Sequence, residues 1–204
     1  GFRTLLLVDG IRLNHAAFRE GANQYWNTVD SFGLESVELV RGAAAVLYGS
    51  DAVGGVAQAL TRTPAFAPDG APSAGARLHA RFASAERSAV LRSEGTLAAE
   101  RWAFLGGITG KTFGDLDGGD KTGRQRKTGY HELDYDLKLR LLLMPERELT
   151  LAYQRVAQDD VWRTHRTPYG ISYHGTAIGN EQRHLFDQDR ELAYAQYLDT
   201  EPTA

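Results

Sequence analysis

From Gly75 onward the chain alternates apolar and polar residues with a period of two. The clearest case is 132–144. There Leu133, Tyr135, Leu137, Leu139, Leu141 and Leu143 fall on one face, and Asp134, Asp136, Lys138 and Arg140 on the other. Such strict alternation marks a strand with two unlike surroundings. Segment 76–85 sets Leu78, Ala80 and Phe82 against Arg77, His79 and Arg81; segment 101–113 places Trp102, Phe104 and Ile108 together; segment 147–156 opposes Leu149, Leu151 and Tyr153 to Thr150, Ala152 and Gln154. Segments 88–98 and 189–199 alternate less cleanly. The pattern predicts strands of about 10 to 13 residues, longer than the roughly 5 to 6 typical of soluble sheets and near the 9 to 11 that span a bilayer.

The connections between these segments support the same reading. Short ones fall at Ala99-Glu100-Arg101 and Pro145-Glu146, long ones at 114–130 and 159–187. Membrane barrels of the outer-membrane type place short turns on the periplasmic side and long loops outside. The connection Glu86-Arg87 is short where an outer loop is expected. A soluble β-sandwich also alternates and is the alternative architecture.

Residues 1–63 follow another pattern. In TLLLVDGIRL, residues 4–13, the continuous run Leu5 to Val8 suits a strand buried on both faces, and Asp9-Gly10 is a strong turn dipeptide. Residues 14–34 read as a surface loop with one helical turn near Val29 to Leu34. The stretch 35–63 holds two extended apolar runs, Ser36 to Val40 and Val56 to Leu60. Between them lie a helix-permissive run, Ala43 to Tyr48, and the glycines Gly42, Gly49, Gly54 and Gly55. This predicts strand, tight turn, short helix, turn, strand. Residues 64–75, PAFAPDGAPSAG, are proline- and glycine-rich and read as a linker. The expected division is therefore 1–63, a linker at 64–75, and strands from 76 to 204.

The string VELVRGAAAVLYGSDAVGGV resembles the end of the plug domain of TonB-dependent outer-membrane receptors. The matching positions are Arg41-Gly42, Tyr48-Gly49-Ser50-Asp51 and Gly54-Gly55, with Asp9-Gly10 upstream. The family often has proline where Ala43 stands here. The resemblance implies an α+β plug domain, here its C-terminal part, followed by the first six or so strands of an antiparallel transmembrane β-barrel. Six strands cannot close around a plug, since plugged transporters have about 22. The expectation is a fragment of a longer protein, with the signal peptide and TonB box upstream and the remaining barrel downstream.

Composition narrows the classes without choosing among them. A net charge of -3 gives no nucleic-acid footprint. The absence of cysteine removes disulfide frameworks and thiolate metal sites. No run of about 18 apolar residues could form a membrane-spanning helix, a test that a barrel also passes. The run RGAAAVLYGS lacks the Lys-Ser/Thr of a phosphate loop.

Two loops carry candidate chemistry. Asp115, Asp117 and Asp120 stand close enough in sequence to offer oxygen ligands to calcium, although the position-12 carboxylate of an EF-hand is replaced by Arg126. Arg124, Arg126 and Lys127 would neutralise them, and a solvated loop is the simpler expectation. The loop 158–187 carries Asp159, Asp160, Trp162, His165, Tyr169, Tyr173, His174 and His184. Catalysis there lacks an activated nucleophile, so ligand gating by Trp162, His165, Tyr169 and Tyr173 is the expected role.

By the same resemblance the loop after the Asp9-Gly10 strand faces the ligand cavity. It makes His15, Phe18, Arg19, Asn23, Gln24, Tyr25 and Trp26 ligand-contact candidates. Arg41 is the candidate for an ion pair within the plug or to the barrel wall. The implied activity is energy-coupled uptake of a scarce nutrient at the bacterial outer membrane. An iron-siderophore complex leads, with cobalamin or an oligosaccharide behind it. The implied partners are the TonB energy-coupling protein and outer-membrane lipid; neither a cofactor nor an enzymatic activity is implied. The rival classes are a non-transporting surface receptor and a soluble β-sandwich hydrolase.

Overall fold

The computed structural model describes residues 4–13, 25–49, 52–67, 71–120, 122–172, 175 and 177–200. The chain divides into two compact units, Gly1–Thr63 and Pro64–Ala204.

The first unit is a mixed four-stranded sheet. Its strands are β1 (Thr4–Val8), β2 (Ile11–Arg12), β3 (Leu34–Arg41) and β4 (Gly55–Thr61), in the order β2-β1-β4-β3. Asp9 and Gly10 both take positive φ, 48° and 80°, the combination a two-residue hairpin turn requires. They fold β2 back antiparallel on β1, with Val8 opposite Ile11. β1 runs parallel to β4, Thr4 opposite Gly55 through Val8 opposite Ala59, and β3 closes the other side antiparallel. Leu5 and Leu7 on one face of β1 and Val8 on the other are all buried, and this covering of both faces accounts for its continuous apolar run. Leu5, Leu7, Ala44, Ala52 and Val56 form the buried core.

One local expectation is corrected. The helical turn expected near Val29 to Leu34 lies instead at Tyr25–Thr28, as a single 3₁₀ turn. Asp30 decides this. Its carboxylate accepts the Phe32 N–H at 3.1 Å and its carbonyl accepts the Gly33 N–H at 3.1 Å. An aspartate that bonds the backbone two residues on makes a turn in competition with helix. Arg62 donates to the Phe32 carbonyl and secures that turn against the end of β4.

The second unit is one antiparallel meander. Its strands are β5 (Ser73–Ala83), β6 (Ser88–Ala98), β7 (Trp102–Phe113), β8 (Tyr130–Met144), β9 (Arg147–Asp159) and β10 (Gln188–Asp199), each paired to the next in sequence. β5 starts at Ser73, inside the stretch read as linker. Pro64 to Ala67 also belongs to this unit. Ala67 donates to Ala99 at 3.0 Å and packs with Phe66 against Ala98 and Ala103. The Pro64 carbonyl accepts from Arg140 at 2.7 Å, and that guanidinium lies 4.5 Å from the Phe66 ring centroid. Proline and small residues thus dock a connecting segment onto the sheet end through carbonyl and ring contacts that need no ladder hydrogen bonds.

Register assigns every side chain in this sheet to one of two faces. Glu94, Gly107, Asp136 and Gln154 stand in one cross-strand row, as do Lys111, Glu132 and Gln158. This face is polar and buried. The opposite face exposes Leu78, Phe82, Leu91, Leu97, Ile108, Leu133, Leu137, Leu143 and Leu151. The burial of charge and exposure of leucine invert the soluble-protein order. They fit a sheet whose apolar side meets lipid and whose polar side meets an aqueous or protein-filled interior.

Candidate functional site

The glycine-rich stretch of the first unit folds as a closed knot. Gly42 and Gly49, both at φ 90°, begin and end it around the one-turn helix α1 (Ala45–Tyr48). Ala44 donates to Ala52 at 2.8 Å, Tyr48 and Leu47 donate back to Ala44, and Ala52 donates to Gly49 at 3.1 Å. Gly55 opens β4 at φ 141°, opposite Arg41, and a Cβ there would lie 2.6 Å from the Val40 carbonyl oxygen. Only glycine fits that site. Asp9 ties the far end of β4 down by accepting from the Thr61 N–H at 2.8 Å and the Thr61 hydroxyl at 2.6 Å. Of the motif residues, Gly42, Tyr48, Gly49, Gly54 and Gly55 sit in or beside this knot, whereas Asp9 and Gly10 form the turn at the other end of β1. Arg41 is exposed at the end of β3. Ser50 and Asp51 lie outside the described residues.

The polar face of the second unit is an ion-pair lattice. The Arg92 side chain, 2 % exposed, reaches Glu94 at 2.8 Å, Asp136 at 2.7 Å and the Thr109 hydroxyl at 3.1 Å. Gly107 makes room for it, since a Cβ there would stand 2.2 Å from an Arg92 nitrogen. Lys111 spans Glu132 at 2.5 Å and Asp134 at 2.7 Å, and Gln158 donates to the other oxygen of Glu132 at 2.8 Å. Arg140 grips Glu148 through two nitrogens, at 2.6 and 2.8 Å. Alternation in β8 disclosed Asp134, Asp136 and Arg140 of this lattice. Arg92, Glu94 and Lys111 give no such signal in the sequence, because Ser93, Gly95 and Gly110 blur the apolar side of β6 and β7.

The two long connections are ordered by their own contacts. In 114–129, Asp117 and Arg124 form an antiparallel bridge, and Asp115 accepts the Thr128 and Gly129 N–H groups at 3.1 and 3.3 Å. Burial alone would raise the Asp115 carboxyl; those two donors and Arg124 at 3.3 Å outweigh it and hold it below the usual carboxylate value. At the short β5–β6 turn, the Ser88 hydroxyl, the Glu86 backbone and Arg81 hold Glu86 low. The Asp115 carboxylate is thus engaged in closing its hairpin. Among the described residues no group of three or more His, Cys, Asp or Glu side chains is placed to hold a metal ion.

In the second long connection, Trp162 pairs with Leu185, Arg163 donates to His184 at 2.8 Å, and Phe186 donates to Val161 at 2.7 Å. This extends the β9–β10 hairpin past the sheet. Trp162 and Tyr169 meet edge to face at 5.8 Å, and Lys127 from the first connection stands 4.6 Å from the Trp162 ring centroid and 5.7 Å from that of Tyr169. His165 meets His184 edge to face at 5.9 Å, and His184 Nδ1 lies 2.7 Å from Glu181. Of the expected gating residues, Trp162 and Tyr169 are therefore brought together and His165 lies beside another pair. Tyr173 lies outside the described residues. In the sequence Lys127 reads as a neutralising charge, and no spacing links it to a tryptophan thirty-five positions on. Asp159 and Asp160 are both exposed. Of the apical-loop candidates, Trp26 is half-buried in the 3₁₀ turn. His15, Phe18, Arg19, Asn23 and Gln24, with the side chain of Tyr25, lie outside the described residues.

Residues 1–56 match the family TonB-dependent Receptor Plug Domain. The first unit is a TonB-dependent receptor plug domain. Among curated proteins, the vitamin B12 transporter BtuB of Vibrio vulnificus (strain YJ016) is 47% identical over 53 residues, 26% of this chain and 8% of that protein. The rhizobactin receptor of Rhizobium meliloti (strain 1021) is 36% identical over 58 residues, 28% of this chain and 7% of that protein. The matched plug segments thus span under a tenth of these relatives. Among solved structures, the ferric enterobactin receptor PfeA of Pseudomonas aeruginosa, in complex with enterobactin, superposes with a TM-score of 0.63 at 22% identity, over 96% of this chain and 31% of that one. The siderophore receptor PirA of Acinetobacter baumannii gives 0.56 at 19% identity, over 76% and 24%. The structural likeness extends past the plug and establishes the fold as plug plus antiparallel strands. TonB-dependent receptors are outer-membrane proteins.

Proposed function

We propose that this chain is part of an outer-membrane receptor that takes up a scarce nutrient by energy coupling, and that the nutrient is an iron-siderophore complex. The observation that carries the reading is one chain joining a plug unit to antiparallel strands with an ion-pair lattice on one face and a largely apolar other face, whose ion pairs, Arg155 with Asp189 and Glu191, lie toward the 160–187 connection. The open edges of β5 and β10 are then continued by further strands into a closed barrel of about 22, since an unpaired edge is an aggregation hazard. On the strand unit the ligand contacts are Trp162, Tyr169 and His165. The TonB energy-coupling protein pulls a segment upstream of the plug, and the plug yields locally. A small unit closed by a few backbone bonds around α1 suits that demand, because local opening costs least where few apolar contacts must break.

A second ligand, cobalamin, is favoured by the vitamin B12 transporters among the relatives of the plug. The siderophore reading is favoured by the ferric enterobactin and siderophore receptors among the structural neighbours. Uptake of radiolabelled ferric siderophores and of labelled cobalamin, in cells with and without the full-length gene, separates them. Loss of siderophore uptake on deletion supports the proposal. Loss of cobalamin uptake alone replaces the ligand, and no change in either overturns both ligand assignments.

A further inference from the structure

The apolar face of the second unit is not evenly covered. Ala76, Gly95, Gly106 and Leu137 form one cross-strand row on that face. The row toward the short 99–101 turn reads Ala74, Leu97, Phe104 and Leu139. Where Gly95 and Gly106 pair, two adjacent strands carry no side chain. The result is a groove of about 410 Å³, lined by Ala74, Ala76, Gly95, Leu97, Phe104 and Gly106.

Three properties define what fits this groove. Its floor is backbone already committed to the β5–β6 and β6–β7 ladders, so it offers an occupant no hydrogen bond. Its walls are hydrocarbon: Leu97 is 48 % exposed, and a Cβ on Gly106 would rest 3.3 Å from both Phe104 and Leu137. Its rim is continuous with the exposed leucine, isoleucine and phenylalanine side chains of the same face, and Trp102 stands exposed between it and the short-turn end. Tryptophan beside a short turn marks the headgroup level of a membrane strand. A peptide or sugar would lose hydrogen bonds on entering such a groove, whereas a hydrocarbon chain loses none.

We propose that this groove is a seat for one acyl chain of a membrane phospholipid, held in the leaflet nearest the 99–101 turn. The inference rests on the outer-membrane reading given above. The glycine pair lets the chain lie against the backbone, with Phe104 and Leu97 at its side.

Gly95 provides a clean test. A Cβ there meets nothing within 4 Å and its φ lies outside the left-handed region, so G95L fills the groove without backbone strain. Gly110 is matched to it, since it lies on the same face, is equally open, and is absent from the groove lining. The full-length receptor, its G95L and its G110L variants are extracted in mild detergent, and retained phospholipid per receptor is measured by native mass spectrometry. A phosphatidylethanolamine with a diazirine in its acyl chain is then photolysed in reconstituted bilayers. The expected result is retained lipid in the wild type and G110L, its loss in G95L, and labelling of 74–76 and 95–106 that G95L abolishes. Equal retention and labelling in G95L overturns the seat, as does a wild type that keeps no lipid. Recovery of a receptor dimer that G95L dissociates assigns the groove to a second copy instead. A full-length product found only in soluble fractions fails the outer-membrane reading itself.

Discussion

Arg92 is the residue whose loss the polar lattice should feel most. R92M keeps the length of the side chain and removes its charge. The structure then leaves Glu94, 5 % exposed, and Asp136 facing each other without the cation that bridges them at 2.8 and 2.7 Å. Removing one partner of a buried pair costs about 3–5 kcal/mol. Arg77 still stands 3.8 Å from Glu94, but its side chain is 62 % exposed and it compensates little. The expected loss is therefore about 3 kcal/mol, toward the low end of that range. Reversible urea unfolding of the full-length receptor in detergent, followed by far-ultraviolet circular dichroism, measures it. Adding E94Q and D136N to R92M should restore most of the loss, because the penalty belongs to the stranded carboxylates and not to the missing arginine. An R92M variant within about 0.5 kcal/mol of the wild type, the range of an ordinary surface change, would refute the claim that this lattice is buried in the assembled protein.

Three further outcomes follow from other parts of the molecule. G55A places a Cβ 2.6 Å from the Val40 carbonyl at φ 141°, so it should cost about 1–3 kcal/mol and make the plug, not the strands, more sensitive to limited proteolysis. The depressed Asp115 carboxyl contributes stability that is present above its unfolded value of about 3.9 and is lost as pH falls through its lower folded value. Amide exchange at Thr128 and Gly129 should therefore stay slow at neutral pH and accelerate, relative to other loop amides, only below about pH 4; acceleration already between pH 5 and 7 would contradict the assignment. K127A removes the cation beside Trp162 and Tyr169 and should raise tryptic cleavage at Arg163 and Arg166 about two- to fivefold, the equivalent of the roughly 0.5–1 kcal/mol of an exposed cation–π contact. Unchanged cleavage would mean that Lys127 does not couple the two connections.

What could be read from the chain alone was whatever depends on local geometry. Period-two alternation gave β8 and β9 and their faces, because a strand puts successive side chains on opposite sides whatever surrounds it. Asp9-Gly10 gave the β1–β2 hairpin, because its turn needs two positive φ angles. The glycine spacing around α1 gave the knot, and its particular string gave the family resemblance that the match over residues 1–56 bears out. The tertiary structure alone decided what depends on register between distant segments. The 3₁₀ turn moved to Tyr25–Thr28 because Asp30 and Arg62, thirty-two positions apart in the chain, hold the turn after it. Arg92 meets Asp136, and Lys127 meets Trp162, because three strands and two connections are stacked in one order. The Gly95–Gly106 groove exists because the β6–β7 register sets two glycines, eleven positions apart, directly opposite each other. Alternation fixes which face a side chain takes, but only pairing fixes which neighbours it finds there.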